Sequence, residues 1–164
     1  MKRTSSALIL GAALSVSMLT SCTSSPEPAP TESVEFGELG RQGCDPPSPI
    51  VGQEVQGTGA ASVTAFGEFQ GVDPARLIEG TPIKLVVRIT GSGDLSVDMT
   101  APDGTAHGLD WGPEEHTGSN YDRPGDEWGT GFSFDAPGCW ALNLRRDSGD
   151  HATIWLYIAA APRS

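Results

Sequence analysis

The chain has 164 residues, with 10 basic and 21 acidic side chains and a formal net charge of −11. Such a balance argues against nucleic acid as a partner, because that binding rests on Lys and Arg neutralising phosphates. It argues equally against adhesion to anionic lipid by charge alone.

The chain opens MKRTSSALILGAALSVSMLTSC, with Lys2 and Arg3 followed by an apolar run centred on Ala7 to Leu19. A bilayer span needs about 20 apolar residues, so the run is short for one; its shape is that of a secretory signal. Leu19-Thr20-Ser21-Cys22 resembles the lipobox of bacterial lipoproteins, an aliphatic residue and two small ones before an invariant cysteine. The resemblance implies that residues 1–21 are a signal peptide, removed on maturation, and that Cys22 carries a diacylglyceryl group. One acyl chain gives only marginal membrane binding, whereas two anchor stably. The expected location is the extracytoplasmic face of the cell membrane, with the covalent lipid as the anchor and no other cofactor expected; a metal ion is the alternative. Removing residues 1–21 takes away Lys2 and Arg3 and no acids, leaving eight basic residues against 21 acidic ones, a net charge near −13. Lys84 is then the only lysine.

Residues 22–48 begin CTSSPEPAPTESVEFGE and are rich in Pro, Ser, Thr and Glu. They offer too little apolar surface to offset the entropy of ordering, so a disordered tether is expected, extending roughly 3 Å per residue in its Pro-rich parts. With Cys22 acylated, Cys44 and Cys139 remain in an oxidising compartment. Two cysteines allow one connectivity, so a Cys44–Cys139 disulfide is expected; two buried thiols are the alternative.

Residues 49–160 are left for one domain. DPARLIEG (73–80) has a capping Asp, a Pro at the first helical position and a terminating Gly, enough for a turn or two of helix or a plain loop. Strand patterns dominate. ASVTAFGEF (61–69) puts Val63, Ala65 and Phe69 on one side and Phe66 on the other. PIKLVVRIT (82–90) sends Ile83, Leu85, Val87 and Ile89 to one face, and DLSVDMT (94–100) alternates Leu95, Val97 and Met99 with polar residues. That period of two marks half-buried antiparallel strands, and Gly91 to Gly93 join the pair as a hairpin. A short strand near 106–111 precedes a long polar loop, 111–128. Alternation resumes with Thr130, Phe132 and Phe134, then Trp140, Leu142 and Leu144, and closes with Ala152, Ile154, Leu156 and Ile158 inward and Trp155 and Tyr157 outward. About seven short strands predict an all-β fold, a single immunoglobulin-like antiparallel β-sandwich; a closed barrel is the alternative.

The stretches IKLVVRITGSGDLSVDMTAPDG and RPGDEWGTGFSFDAPGCW, with the closing hydrophobic strand, make residues 50–158 similar to a group of small, uncharacterised secreted lipoproteins of Gram-positive-type bacteria. Those have an immunoglobulin-like fold and end in a comparable Pro-Gly-Cys-Trp strand. The resemblance implies fold and location and no chemistry.

Candidate functional residues concentrate in WGPEEHTGSNYDRPGDEW: Trp111, Glu114, Glu115, His116, Tyr121, Asp122, Arg123, Asp126, Glu127 and Trp128. Trp, Tyr and Arg are the types enriched at binding hot spots, and loops at one end of a sandwich are where such folds make contacts. Binding of an envelope protein, a glycan or a small solute is the leading expectation, although tryptophans at strand ends also serve to cap a core. Calcium held by the acidic 110–127 loop, or a transition metal through His107 and His116, is a second reading. No HxH, HExxH or EF-hand spacing supports either. A hydrolase pairing Glu115 with Asp126 or Glu127 is a third, dependent on their separation. Ser119 with His116 lacks the GxSxG elbow of a nucleophilic set, and an enzyme is not the expectation.

Overall fold

The computed structural model describes residues 44–117 and 122–163. The leader, Cys22, the tether as far as residue 43, Ser119 and Tyr121 lie outside the described residues.

Eleven strands follow in chain order: β1 (Ile50–Val51), β2 (Glu54–Gln56), β3 (Thr58–Gly59), β4 (Ala65–Gln70), β5 (Pro82–Ile89), β6 (Leu95–Thr100), β7 (Ala106–His107), β8 (Trp111–His116), β9 (Asp126–Ser133), β10 (Gly138–Arg146) and β11 (His151–Ile158). All strand pairings are antiparallel. They form a six-stranded sheet, β1-β2-β4-β5-β9-β8, and a five-stranded sheet, β3-β11-β10-β6-β7, so β5 and β6 do not make the hairpin expected through Gly91–Gly93: that turn carries the chain from one sheet to the other. Each sheet ends in two separate edge strands, so the chain makes two layers and not a closed barrel. The 73–80 stretch supplies one short 3-10 turn, Pro74–Arg76, whose Asp73 side chain accepts from the Ala75 amide.

The alternation read from the sequence places the core. Ile83, Leu85, Val87 and Ile89 of β5 are buried, as are Trp140, Leu142 and Leu144 of β10 and Ala152, Ile154, Leu156 and Ile158 of β11. Each fully buried aliphatic side chain contributes about 1.5–3 kcal/mol. Phe134 bridges the aromatic part of this core, 5.3 Å from Phe132 and 5.1 Å from Trp140 by ring centroids. The one buried hydroxyl on β9 is satisfied: Thr130 donates to the Leu85 carbonyl at 2.8 Å.

Cys44 and Cys139 form the expected disulfide, closing a sequence separation of 95 residues. Cys44 and Ser48 fall in the stretch assigned to the tether, yet both are buried, and the Ser48 hydroxyl accepts from the Trp155 amide at 2.9 Å. The packed structure therefore takes in these residues, and the chain joins it at the Cys139 end of β10.

The region expected to be one long loop differs most. Trp111–His116 is an edge strand paired with β9, and β9 itself starts at Asp126. Gly, Pro and Glu are poor strand formers, which hid β8 from propensity. An edge strand tolerates them, because only one side is hydrogen-bonded and charge and proline there discourage pairing with other chains. A register shift between Trp111 and Glu114 accommodates Gly112 at φ +87° and Pro113.

Candidate functional site

Strand geometry divides the candidate residues between two faces. Successive side chains of a strand point to opposite sides, so neighbours in sequence part company. On β9, Trp128, Thr130 and Phe132 face the core, leaving Glu127, Gly129 and Gly131 on the outer face of the six-stranded sheet. Across the ladder Trp111 pairs with Gly131, Glu114 with Gly129 and His116 with Glu127, so these β8 side chains share the outer face. Glu115 pairs with Trp128 and belongs to the inner side with Asp126.

The outer face carries a cross-strand row running from Gln56 to Phe66, Arg88, Glu127 and His116. Arg88, on the face of β5 opposite Ile83, Leu85, Val87 and Ile89, is nevertheless only 4% exposed. Its guanidinium bonds Glu127 at 3.0 Å and donates to the Arg123 carbonyl. Arg123 itself lies over the Phe66 ring, 3.8 Å from its centroid, and its guanidinium takes both carboxylate oxygens of Glu54. The segment leading into β9 is thus clamped down on the sheet, which is why Arg88 and Phe66 are covered. His116 Nδ1 lies 3.7 Å from Glu127 Oε1.

Beside this row, Trp111 rests on glycine. A Cβ at Gly131 would overlap the indole nitrogen, and one at Gly129 would stand 3.3 Å from the six-membered ring and 3.0 Å from His116 Nε2. Trp111 is nevertheless 38% exposed. One ring face lies on the sheet, and the Lys84 ammonium reaches to 5.7 Å from the ring centroid.

Asp126, Trp128 and Glu115 instead line a cavity of ≈ 620 Å³ at the end of the sandwich, with Asp94, Pro113 and Arg146. Arg146 faces inward at the end of β10, 4.2 Å over the Trp128 ring and 2.7 Å from Asp126. Trp128 is 4% exposed, so it serves packing, as one reading of the strand-end tryptophans held. The disulfide and this cavity lie at opposite ends of β10, roughly 20 Å apart at strand rise.

His107 is far from His116 in the fold, on β7 of the other sheet, where it meets Trp140 edge-on at 5.0 Å. A second cavity of ≈ 490 Å³ lies there. The Thr105 hydroxyl donates to Asp103 at 2.7 Å and stands 3.1 Å from His107 Nε2, while Asp135 is 3.9 Å from His107 Nδ1. The Asp103 carboxyl is held below its ordinary value, first by the Thr105 hydroxyl and then by the Thr105 amide. Among the described residues no group of three or more His, Cys, Asp or Glu side chains is gathered as metal ligands would be. Asp122 is exposed to solvent.

No protein-family model matches the chain. A comparison with curated proteins likewise returns no match.

Lys84, Gly129, Gly131, Asp94 and Arg146 escaped the sequence reading of the site. The signal for the two glycines was present, because glycines two apart within a strand mark a close approach by another group. Arg146 reads as part of a charged turn until the register of β10 places it inward.

Proposed function

We propose that the protein is a lipid-anchored extracytoplasmic binding module, making contact through the outer face of the six-stranded sheet around Trp111. The observation that carries the contact face is the exposed indole seated on Gly129 and Gly131, because a side chain already fixed in place loses little freedom on binding. The leader and Leu19-Thr20-Ser21-Cys22 support the anchor. The two antiparallel sheets, with Trp140 buried beside the Cys139 bridge, favour an immunoglobulin-like sandwich as the finer description of the fold.

Expression in a lipoprotein-processing bacterium tests the anchor. The wild-type chain should be found in the membrane fraction with the mass of a diacylglyceryl-modified Cys22, and Cys22→Ala should be released. A Cys22→Ala protein still in the membrane at the mass of the wild type would refute it. For the contact face, Trp111→Ala should lower retention of the released Cys22→Ala protein on isolated envelope fragments; equal retention would count against it.

A second reading draws on one observation, that Glu115 and Asp126 line the same cavity. It makes the domain a carboxylate hydrolase. Hydrolysis of model glycosides by the wild type, lost in Glu115→Gln, is what it requires.

A further inference from the structure

The contact face around Trp111 has a shape and chemistry that select a ligand class, and we infer that it holds a pyranose ring of an envelope glycan against the solvent-exposed part of the Trp111 indole, beside the Lys84 ammonium. This rests on the binding reading above and names its ligand.

Three features converge. First, the indole is a rigid plane. Gly129 and Gly131 give it room to lie against β9, and glycine inside a strand costs roughly 0.5–1 kcal/mol relative to alanine. Neither residue has a positive φ, so backbone conformation does not require glycine at either position; the indole does. Second, the exposed apolar surface is small and isolated. Among the described residues the large exposed hydrophobic side chains are Val51, Trp111 and Tyr157. Val51 is on β1 at the far edge of the same sheet and Tyr157 is on the other sheet. A protein interface buries an apolar centre formed by several such residues, whereas one aromatic plane matches one sugar ring, whose C–H groups line a face and whose hydroxyls line its rim. Third, the groups next to the indole are polar. The Lys84 ammonium lies over the ring, 5.7 Å from its centroid. His116 lies with Nδ1 towards Glu127 and Nε2 above Gly129, beside the same ring. Glu114 shares the face. Ammonium, imidazole and carboxylate are the donors and acceptors that bind sugar hydroxyls at the edge of a stacking platform. Addition of a partner strand along β8 is disfavoured, because Pro113 offers no N–H and the register shift breaks the line of free backbone groups.

The test uses the purified full chain with its tryptophan indole N–H signals followed by NMR. Soluble gluco-, manno- and N-acetylglucosamine oligosaccharides are added at millimolar concentration. At least one should shift the Trp111 signal, with the Trp128 and Trp140 signals unmoved. Affinity should fall roughly tenfold in Trp111→Ala and less in Trp111→Phe, which keeps a smaller plane. Lys84→Gln or His116→Gln, which leave the indole in place, should also weaken it. No shift at Trp111 with any of these sugars, or a response that persists in Trp111→Ala, overturns the inference. Envelope fragments separate the two levels of the reading. Trp111-dependent binding lost after periodate oxidation of the fragments supports the glycan. Trp111-dependent binding that survives periodate and falls with protease treatment overturns the glycan and leaves the contact face standing.

Discussion

The Trp111 indole lies directly on Gly131, so close that a single methyl group at that position would occupy the space of the indole nitrogen. Gly131→Ala should therefore push the ring off the sheet. The ring is at the surface and can swing away, and alanine is itself favoured over glycine in a strand, so the net cost should be about 1 kcal/mol. The expected readout is greater acrylamide quenching of Trp111 with a small drop in denaturation midpoint. Gly129→Ala meets the ring and His116 at 3.3 and 3.0 Å and should disturb both measures less. Equal effects at the two positions would show that the ring does not rest where described.

Glu127 and Arg88 form a close pair whose side chains are 11% and 5% exposed. Removing one partner of such a pair leaves a charge in a poorly solvated place, at a cost of about 3 kcal/mol. Glu127→Ala should lower unfolding free energy by that order in urea titration. The double change Glu127→Leu with Arg88→Met should cost clearly less than the single one, since replacing both charges removes the desolvation penalty with the attraction. A fully additive cycle would contradict the coupling.

Reduction should weaken the domain strongly. The Cys44–Cys139 bridge spans 95 residues, for which the chain-entropy model gives about 4 to 5 kcal/mol. Cys44→Ser with Cys139→Ser should lower stability by that order in a denaturant titration. A change below about 1 kcal/mol would mean that packing of the Cys44–Ser48 segment alone holds the end of β10.

Asp103 titrates low because it accepts from the Thr105 hydroxyl and amide. A carboxylate with a lowered folded-state value stabilises the fold above its ordinary value of 3.8, and that contribution fades as pH falls through the lowered one. Thr105→Val removes the larger cause and keeps the amide. The Asp103 midpoint, followed by carboxyl NMR, should move up towards 3.8 without passing it. An unmoved midpoint would contradict the assigned cause.

Much of the sandwich was legible because its central strands are amphipathic. The alternation in β5, β6, β10 and β11 announces which side chains face inward, and Thr130 and Phe132 do the same for β9. Edge strand β8 gave no such signal, since Glu114, Glu115 and His116 face water or a cavity and nothing apolar marks its period. Once 111–128 is taken as a loop, its acids look like one pool. The pairing with β9 separates Glu114 from Glu115 and Asp126 from Glu127, and so dissolves the pool. The burial of Arg88 was also out of reach, because it depends on Arg123 returning over Phe66 from a different part of the chain. The disulfide was readable from the cysteine count together with the compartment expected from the leader.

The contact face exists only if β8 and β9 form the hairpin that turns Trp111 outward and Trp128 inward. Fluorine NMR of the chain labelled with 5-fluorotryptophan, in the presence of a soluble paramagnetic agent, tests this most directly. Each of the four tryptophans can be assigned by substitution with phenylalanine. Trp111 should be the most strongly broadened resonance, with Trp128 and Trp140 protected. A Trp111 signal as protected as Trp140, or a Trp128 signal broadened as much as Trp111, would contradict the arrangement on which the proposed function depends.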